Sequence, residues 1–212
     1  MEKKKHIITI NRECGTGGGE IASLLGEKLG FKVYGRTMLE AVAQQFGITL
    51  EELDRVKAQK TSWWSDFCRF YQQFGAVSHQ TGAIADPTPT SVYYAEKRLL
   101  QDLAEEESCI IVGRAGFHIF RDYPNAIHLL LIANRDARIA RIARKQNLSS
   151  EEAAKVVDEV DEARDNFVTN VAETSRYDAR NYHACVNITG LQPDTVASFL
   201  AEQIRHKMAI DR

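Results

Sequence analysis

The sequence predicts an α/β fold in three layers, α/β/α, with a five-stranded parallel sheet in the middle. Three observations carry that expectation. Five short segments, at 6–10, 31–34, 109–112, 127–132 and 184–188, are strand candidates, and several of them are unbroken apolar runs, as strands covered on both faces require. Helical patterns separate them, and strands alternating with helices imply parallel pairing with helices on both sides. Between the first strand and the first helix lies a glycine-dense turn, "GTGGG" at 15–19.

The elements follow in order. After the glycines, Ile21, Leu24, Leu25 and Leu29 fall at i, i+3, i+4 and i+8 on one helical face. Thr49 with Glu52, and Ser149 with Glu152, form capping-box pairs that start further helices. From 61 to 90 the pattern breaks down into an aromatic-rich and then Gly-, Ala- and Pro-rich stretch, which predicts an irregular insert. Its aromatic residues, Trp63 to Phe74, come at mixed spacing and suit a core or a homo-oligomer contact, with base stacking as the alternative. Arg135, Arg138, Arg141 and Arg144 recur every three residues on one helix, and a long charged helix runs from 149 to about 170. Pro193 fits the first turn of a C-terminal helix.

Composition narrows the function classes. A chain of 212 residues can bury a sizeable core in one domain. Lys plus Arg total 27 against 29 Asp plus Glu, a formal charge of -2, which argues against nucleic acid or an anionic membrane as partner. Any anion site must be local. The apolar runs are too short to span a bilayer and "MEKKKHIITI" has no signal-peptide core, so a soluble, cytoplasmic protein is expected. Cys14, Cys68, Cys109 and Cys185 fall at no metal-ligand spacing and are read as free thiols, and the histidines as packed side chains, with no metal site.

The chemistry concentrates in the glycine turn. A helix N-terminus presents unpaired N–H groups and a positive dipole end, and glycines let the backbone curl around a phosphate. Gly15, Thr16, Gly17, Gly18 and Gly19 stand in that setting. Set against the G-x-G-K-G-T form of nucleoside monophosphate kinases, however, the lysine position holds Gly18 and the threonine position holds Glu20. One change removes a positive charge and the other adds a carboxylate. Arg12 is the residue placed to restore the charge; Glu20 has a second account as an acid stabilising the first helical turn.

The stretch "ITINRECGTGGGEIASLLGEKLGFKVYGR" resembles the opening of the cytidylate kinase-like family, whose members read approximately I-S-R-E-x-G-S-G-G-R-x-I-A. Arg12, Glu13, Gly15, Gly17 and Gly18 match it, Thr16 stands for Ser, and Gly19 departs from the usual Arg. Gly113 and Arg114 match the family's strand ending in V-G-R, while the two acids of the D-G-R-D of cytidylate kinases are replaced by Val112 and Ala115. "IHLLLIANRDARIARI" is similar to the strand and arginine helix, with Arg138 and Arg141 at the matching positions, and Asp161 and Arg164 match a D-x-x-R segment. The resemblance implies a P-loop NTPase fold of the nucleoside monophosphate kinase type with a helical lid, in one domain over 1–212. An acceptor-side insert would cover about 36–107 and the arginine helix and lid about 135–180.

It further implies ATP and Mg²⁺ as cofactors and a small nucleotide as substrate. Arg12 and the loop from Gly15 to Gly19 would hold the donor, Arg114, Arg138, Arg141 and Arg164 would act in catalysis, and Asp161 would touch substrate. Pairing with a neighbouring carboxylate is the alternative account of Arg114, and an intrahelical ion pair with Asp161 three residues before it is the competing account of Arg164. Arg176, Asp178 and Arg180 lie outside the assigned site. Two functions follow: a kinase moving the ATP γ-phosphate to a nucleoside monophosphate or similar acceptor, or an inactive nucleotide- or anion-binding sensor or interaction module.

Overall fold

A computed structural model describes residues 4–35 and 89–210. The chain divides into two compact units, 1–34 with 104–212, and 35–103. The Thr49–Glu52 pair, Cys68 and the aromatic insert lie outside the described residues.

The first unit holds all five strands: β1 (Ile7–Arg12), β2 (Lys32–Tyr34), β3 (Cys109–Val112), β4 (Ala126–Ile132) and β5 (Ala184–Asn187). They form one parallel sheet in the order β2-β3-β1-β4-β5, as the apolar runs predict. Central β1 is paired on both sides, Ile8 with Ile110 and Ile127, Ile10 with Val112 and Leu129. Because successive side chains point to opposite faces, Ile8, Ile10, Ile110, Leu129 and Leu131 build one core. They pack with Ile21, Ala22 and Leu25 of helix α1 (Gly18–Leu29) and with Val196, Leu200 and Ile204 of the C-terminal helix, Pro193–Ile210.

The opposite face carries Thr9 and His128, whose side chains share a 2.8 Å hydrogen bond. Helix α2 (Pro89–Glu106) precedes β3, and the single turn α3 (Gly116–Ile119) follows it and packs on this face. Burial, and then His183, push the His128 imidazole down to about 4. His128 and His6 are thus packed histidines, as expected.

Helix α4 (Arg135–Gln146) follows β4, and α5 (Ser150–Ala172) begins at Ser149. The capping box is complete: the Ser149 hydroxyl accepts from the Glu152 N–H, and the Glu152 carboxylate accepts from the Ser149 N–H. The C-terminal helix is α6. Helices α4 and α5 share a satellite core of Ile142, Ala153 and Val157 with Cys14, so they pack directly behind the glycine turn.

Candidate functional site

In open parallel sheets a crevice forms at the carboxyl ends of the strands, where the connections change side. Here that point lies beside β1. The chain leaves β1 at Arg12 and enters α1 at Gly18, turning through Gly15 (φ 81) and Gly17 (φ 76), a left-handed backbone that glycine adopts without strain. Gly17 is the N-cap and no side chain caps the helix, so its first-turn amides remain as donors. The Thr16 hydroxyl donates to the Glu13 carbonyl at 2.8 Å and tightens the turn. A Cβ on Gly15 would lie 2.6 Å from the Arg138 carbonyl oxygen, so α4 rests against the loop backbone.

Arginines converge on this loop. The Arg12 chain runs across Gly18 and reaches Gly113 at the end of β3, both close approaches that a Cβ would obstruct. Burial, then Arg164, Arg114 and Arg176, pull the Arg12 guanidinium down to about 9. No ion pair to Arg12 occurs among the described residues, so its charge is solvated poorly and its neighbours add to the cost. An anion in this position would relieve both. Arg164 and Arg176 each donate to the Arg12 carbonyl, at 3.1 Å.

Behind the loop lies a paired layer. Arg138 is buried; its Nε donates to the Ala133 carbonyl at 3.0 Å and its Nη1 to the Cys14 carbonyl at 3.1 Å. Nη1 also donates to Asp161 Oδ2 at 2.5 Å. Asp161 Oδ1 accepts from the Cys14 N–H at 2.8 Å and lies 3.0 Å from Arg176 Nη2. Arg176 pairs in addition with Asp165, and its guanidinium carbon stands 4.5 Å from the centre of the Tyr177 ring. Glu13 Oε2 accepts from the Ala133 N–H at 2.9 Å, and Tyr177 donates to Oε1 at 3.3 Å.

A cleft of about 770 Å³ opens over this arrangement. Arg12, the loop from Gly15 to Gly19, Arg141, Arg144 and Arg164 line it, together with Glu13, Glu20 and the turn from Thr189 to Pro193. Arg141 lies against Gly17 with its Nη1 3.4 Å from Glu20 Oε2. Arg114 is close enough to act on the charge of Arg12 but, like Arg138 and Asp161, does not line the cleft; Arg138 and Asp161 stand behind the loop. Arg164 keeps the expected ion pair with Asp161 three residues before it, at 3.8 Å, and also donates to the Arg12 carbonyl.

Two consecutive non-glycine residues, Arg114 (φ 60) and Ala115 (φ 50), adopt the left-handed region directly after Gly113. Each such residue costs about 1–3 kcal/mol, and strain of this kind gathers at sites of function. Arg176 and Tyr177 join the site without being marked by any motif spacing, whereas Glu13 stands in the matched N-terminal pattern. The one available signal for Arg176 was its position among arginines in "SRYDARNY", which does not distinguish it from exposed Arg180, paired with Asp178 at 2.7 Å.

The donor set fits a polyphosphate: backbone amides at a helix start and guanidinium groups. It does not fit a resident magnesium among the described residues, since the Thr16 hydroxyl, the Glu20 carboxylate and the Asp161 carboxylate are each engaged within the protein.

Known proteins share this framework. A cytidylate kinase from Thermoplasma volcanium is 24% identical over 200 residues, 93% of this chain and 90% of its own. A solved structure of an uncharacterized protein from Eubacterium ventriosum superimposes with a TM-score of 0.68 at 21% identity, covering 95% of this chain and 99% of that one. Shikimate kinase from Bacteroides thetaiotaomicron superimposes at 0.53 with 13% identity, covering 94% and 98%. The fold is accordingly that of the P-loop kinases. Residues 7–190 match the model of the cytidylate kinase-like family, and the chain belongs to that family.

Proposed function

We propose that the protein is a phosphotransferase that moves the ATP γ-phosphate to a nucleoside monophosphate or a similar small acceptor. The observation that carries this is the half-buried Arg12 guanidinium held over the glycine loop, on the cleft wall, among Arg114, Arg164 and Arg176. Phosphoryl transfer asks little covalent chemistry of a protein; positive charge set around the equatorial oxygens lowers the barrier. In this scheme the α1 amides and Arg12 hold the donor phosphates, Arg12 doing the work of the absent lysine. Arg114, Arg141 and Arg164 surround the transferred group, and the acceptor oxygen attacks in line without a covalent intermediate. Magnesium would supply charge neutralisation on the nucleotide's own phosphate oxygens.

A second reading has its own support. Gly18 and Glu20 replace the lysine and hydroxyl of the phosphate loop, and Val112 and Ala115 replace the acids flanking Gly113-Arg114. Those losses favour an inactive nucleotide- or anion-binding sensor. A coupled assay of ADP release over a panel of nucleoside monophosphates separates the two. Turnover that Arg114→Ala abolishes without altering the melting temperature is expected of the kinase; a thermal shift with nucleotide but no turnover supports the sensor.

A further inference from the structure

We infer that Asp161 is a positioning residue, the carboxylate that fixes the backbone of the phosphate loop and the arginines behind it. The inference rests on the proposed phosphate site. It assigns Asp161 a partner inside the protein in place of the substrate contact that the family resemblance implies. A carboxylate has two oxygens with about four acceptor positions. At Asp161, Oδ1 takes the Cys14 N–H at 2.8 Å and Arg176 Nη2 at 3.0 Å, and Oδ2 takes Arg138 Nη1 at 2.5 Å. The group is 9% exposed and is absent from the cleft wall.

The same three partners close a ring around the start of the loop. Arg138, held by Asp161, donates to the Cys14 carbonyl, so both polar groups of the Cys14 backbone are fixed. Arg176, held by Asp161 and Asp165, donates to the Arg12 carbonyl. The peptide groups that bracket the turn into the phosphate loop are therefore set from α5 through one side chain. Removing it strands a backbone N–H and leaves Arg138 and Arg176 short of a counter-charge beside Arg12 and Arg164, a high cost in a buried network. Amides that no longer point to a common centre bind a polyphosphate less well, whatever the acceptor.

The test pairs binding with amide exchange. Asp161→Ala is titrated with pyrophosphate by calorimetry, and exchange of the Cys14 amide is followed by NMR. Asp158→Asn, which removes an exposed partner of Arg135 on the same helix, is the control. The expected result is a tenfold or greater loss of pyrophosphate affinity and a tenfold faster Cys14 exchange in Asp161→Ala. Ile8 and Ile110 should keep their protection, and Asp158→Asn should match the parent. In turnover, KM for ATP should rise while KM for the acceptor stays constant, a split that a purely structural role would not produce. Unchanged pyrophosphate affinity with a still-protected Cys14 amide, or a rise confined to the acceptor KM, overturns the inference. If the parent protein binds neither pyrophosphate nor nucleotide, the proposed function fails, and Cys14 exchange alone decides whether Asp161 sets the loop. Should Asp161→Ala not fold, Arg138→Lys is measured in its place, since lysine keeps the charge but cannot serve Cys14, Ala133 and Asp161 together, and the same two outcomes apply.

Discussion

At Arg12 a guanidinium loses water and meets three more of its kind, and among the described residues no carboxylate pairs with it. Such a group destabilises the fold it belongs to, which is the expected signature of a side chain kept for a ligand. Arg12→Met, an apolar chain of similar path between Gly18 and Gly113, should raise the unfolding free energy by about 1 kcal/mol. The same change should weaken pyrophosphate binding at least tenfold; denaturation and calorimetry on one preparation check both. His128 offers a second residue-scale expectation. In the folded chain it takes up a proton only near pH 4, because of burial and then His183, whereas an unfolded histidine does so near its ordinary 6.5. Between those values unfolding binds a proton, so stability rises with pH across the window and is lost as the pH falls from about 6.5 to about 4. The loss amounts to about 3 kcal/mol at the acid end. His128→Asn should flatten that slope in melts taken across the same range.

Among the elements, α4 shows what spacing can and cannot reveal. Its arginines repeat every three residues, but at 3.6 residues per turn each is rotated about 60° from the last, so four of them sweep half the helix surface. That is why Arg135 pairs with exposed Asp158 at 2.7 Å, Arg138 is buried behind the loop, Arg141 lies over Gly17 and Arg144 lines the cleft. The strands and the glycine turn were legible because their signals are local: an apolar run, a cap, a cluster of glycines. The Asp161 ring was not, since it joins Cys14, Arg138 and Arg176 across 147, 23 and 15 positions, and no local pattern reports separations of that order. Capping at Ser149 was fully readable, and α5 depends on it to present Asp161 and Arg164. Ser149→Ala should lower stability by about 1 kcal/mol in chemical denaturation, with exchange speeding first in the opening turn of α5.

For the whole molecule, a formal charge of -2 coexists with at least five arginines gathered around one loop. The two facts are compatible because Asp161 and Asp165 neutralise the layer behind the loop, while on the cleft wall Arg12, Arg141, Arg144, Lys145 and Arg164 outweigh Glu13 and Glu20. The attraction is thereby short in range. A polyphosphate that enters the cleft meets several guanidinium groups and helix amides at once, whereas an extended polyanion meets a surface with a small net negative charge. Arg135, an exposed arginine of α4, is already paired with Asp158, which leaves less exposed charge for a backbone of phosphates to follow. Binding to a nucleic acid depends on releasing many counterions and shows itself as a steep fall of affinity with salt. A short single-stranded RNA followed by fluorescence anisotropy at about 50 mM salt should therefore give no saturable binding, while pyrophosphate does under the same conditions. Saturable RNA binding that collapses on raising the salt to about 200 mM would place the working face of α4 outside the cleft, and would remove the reason for the loop and its arginines to be read as one site.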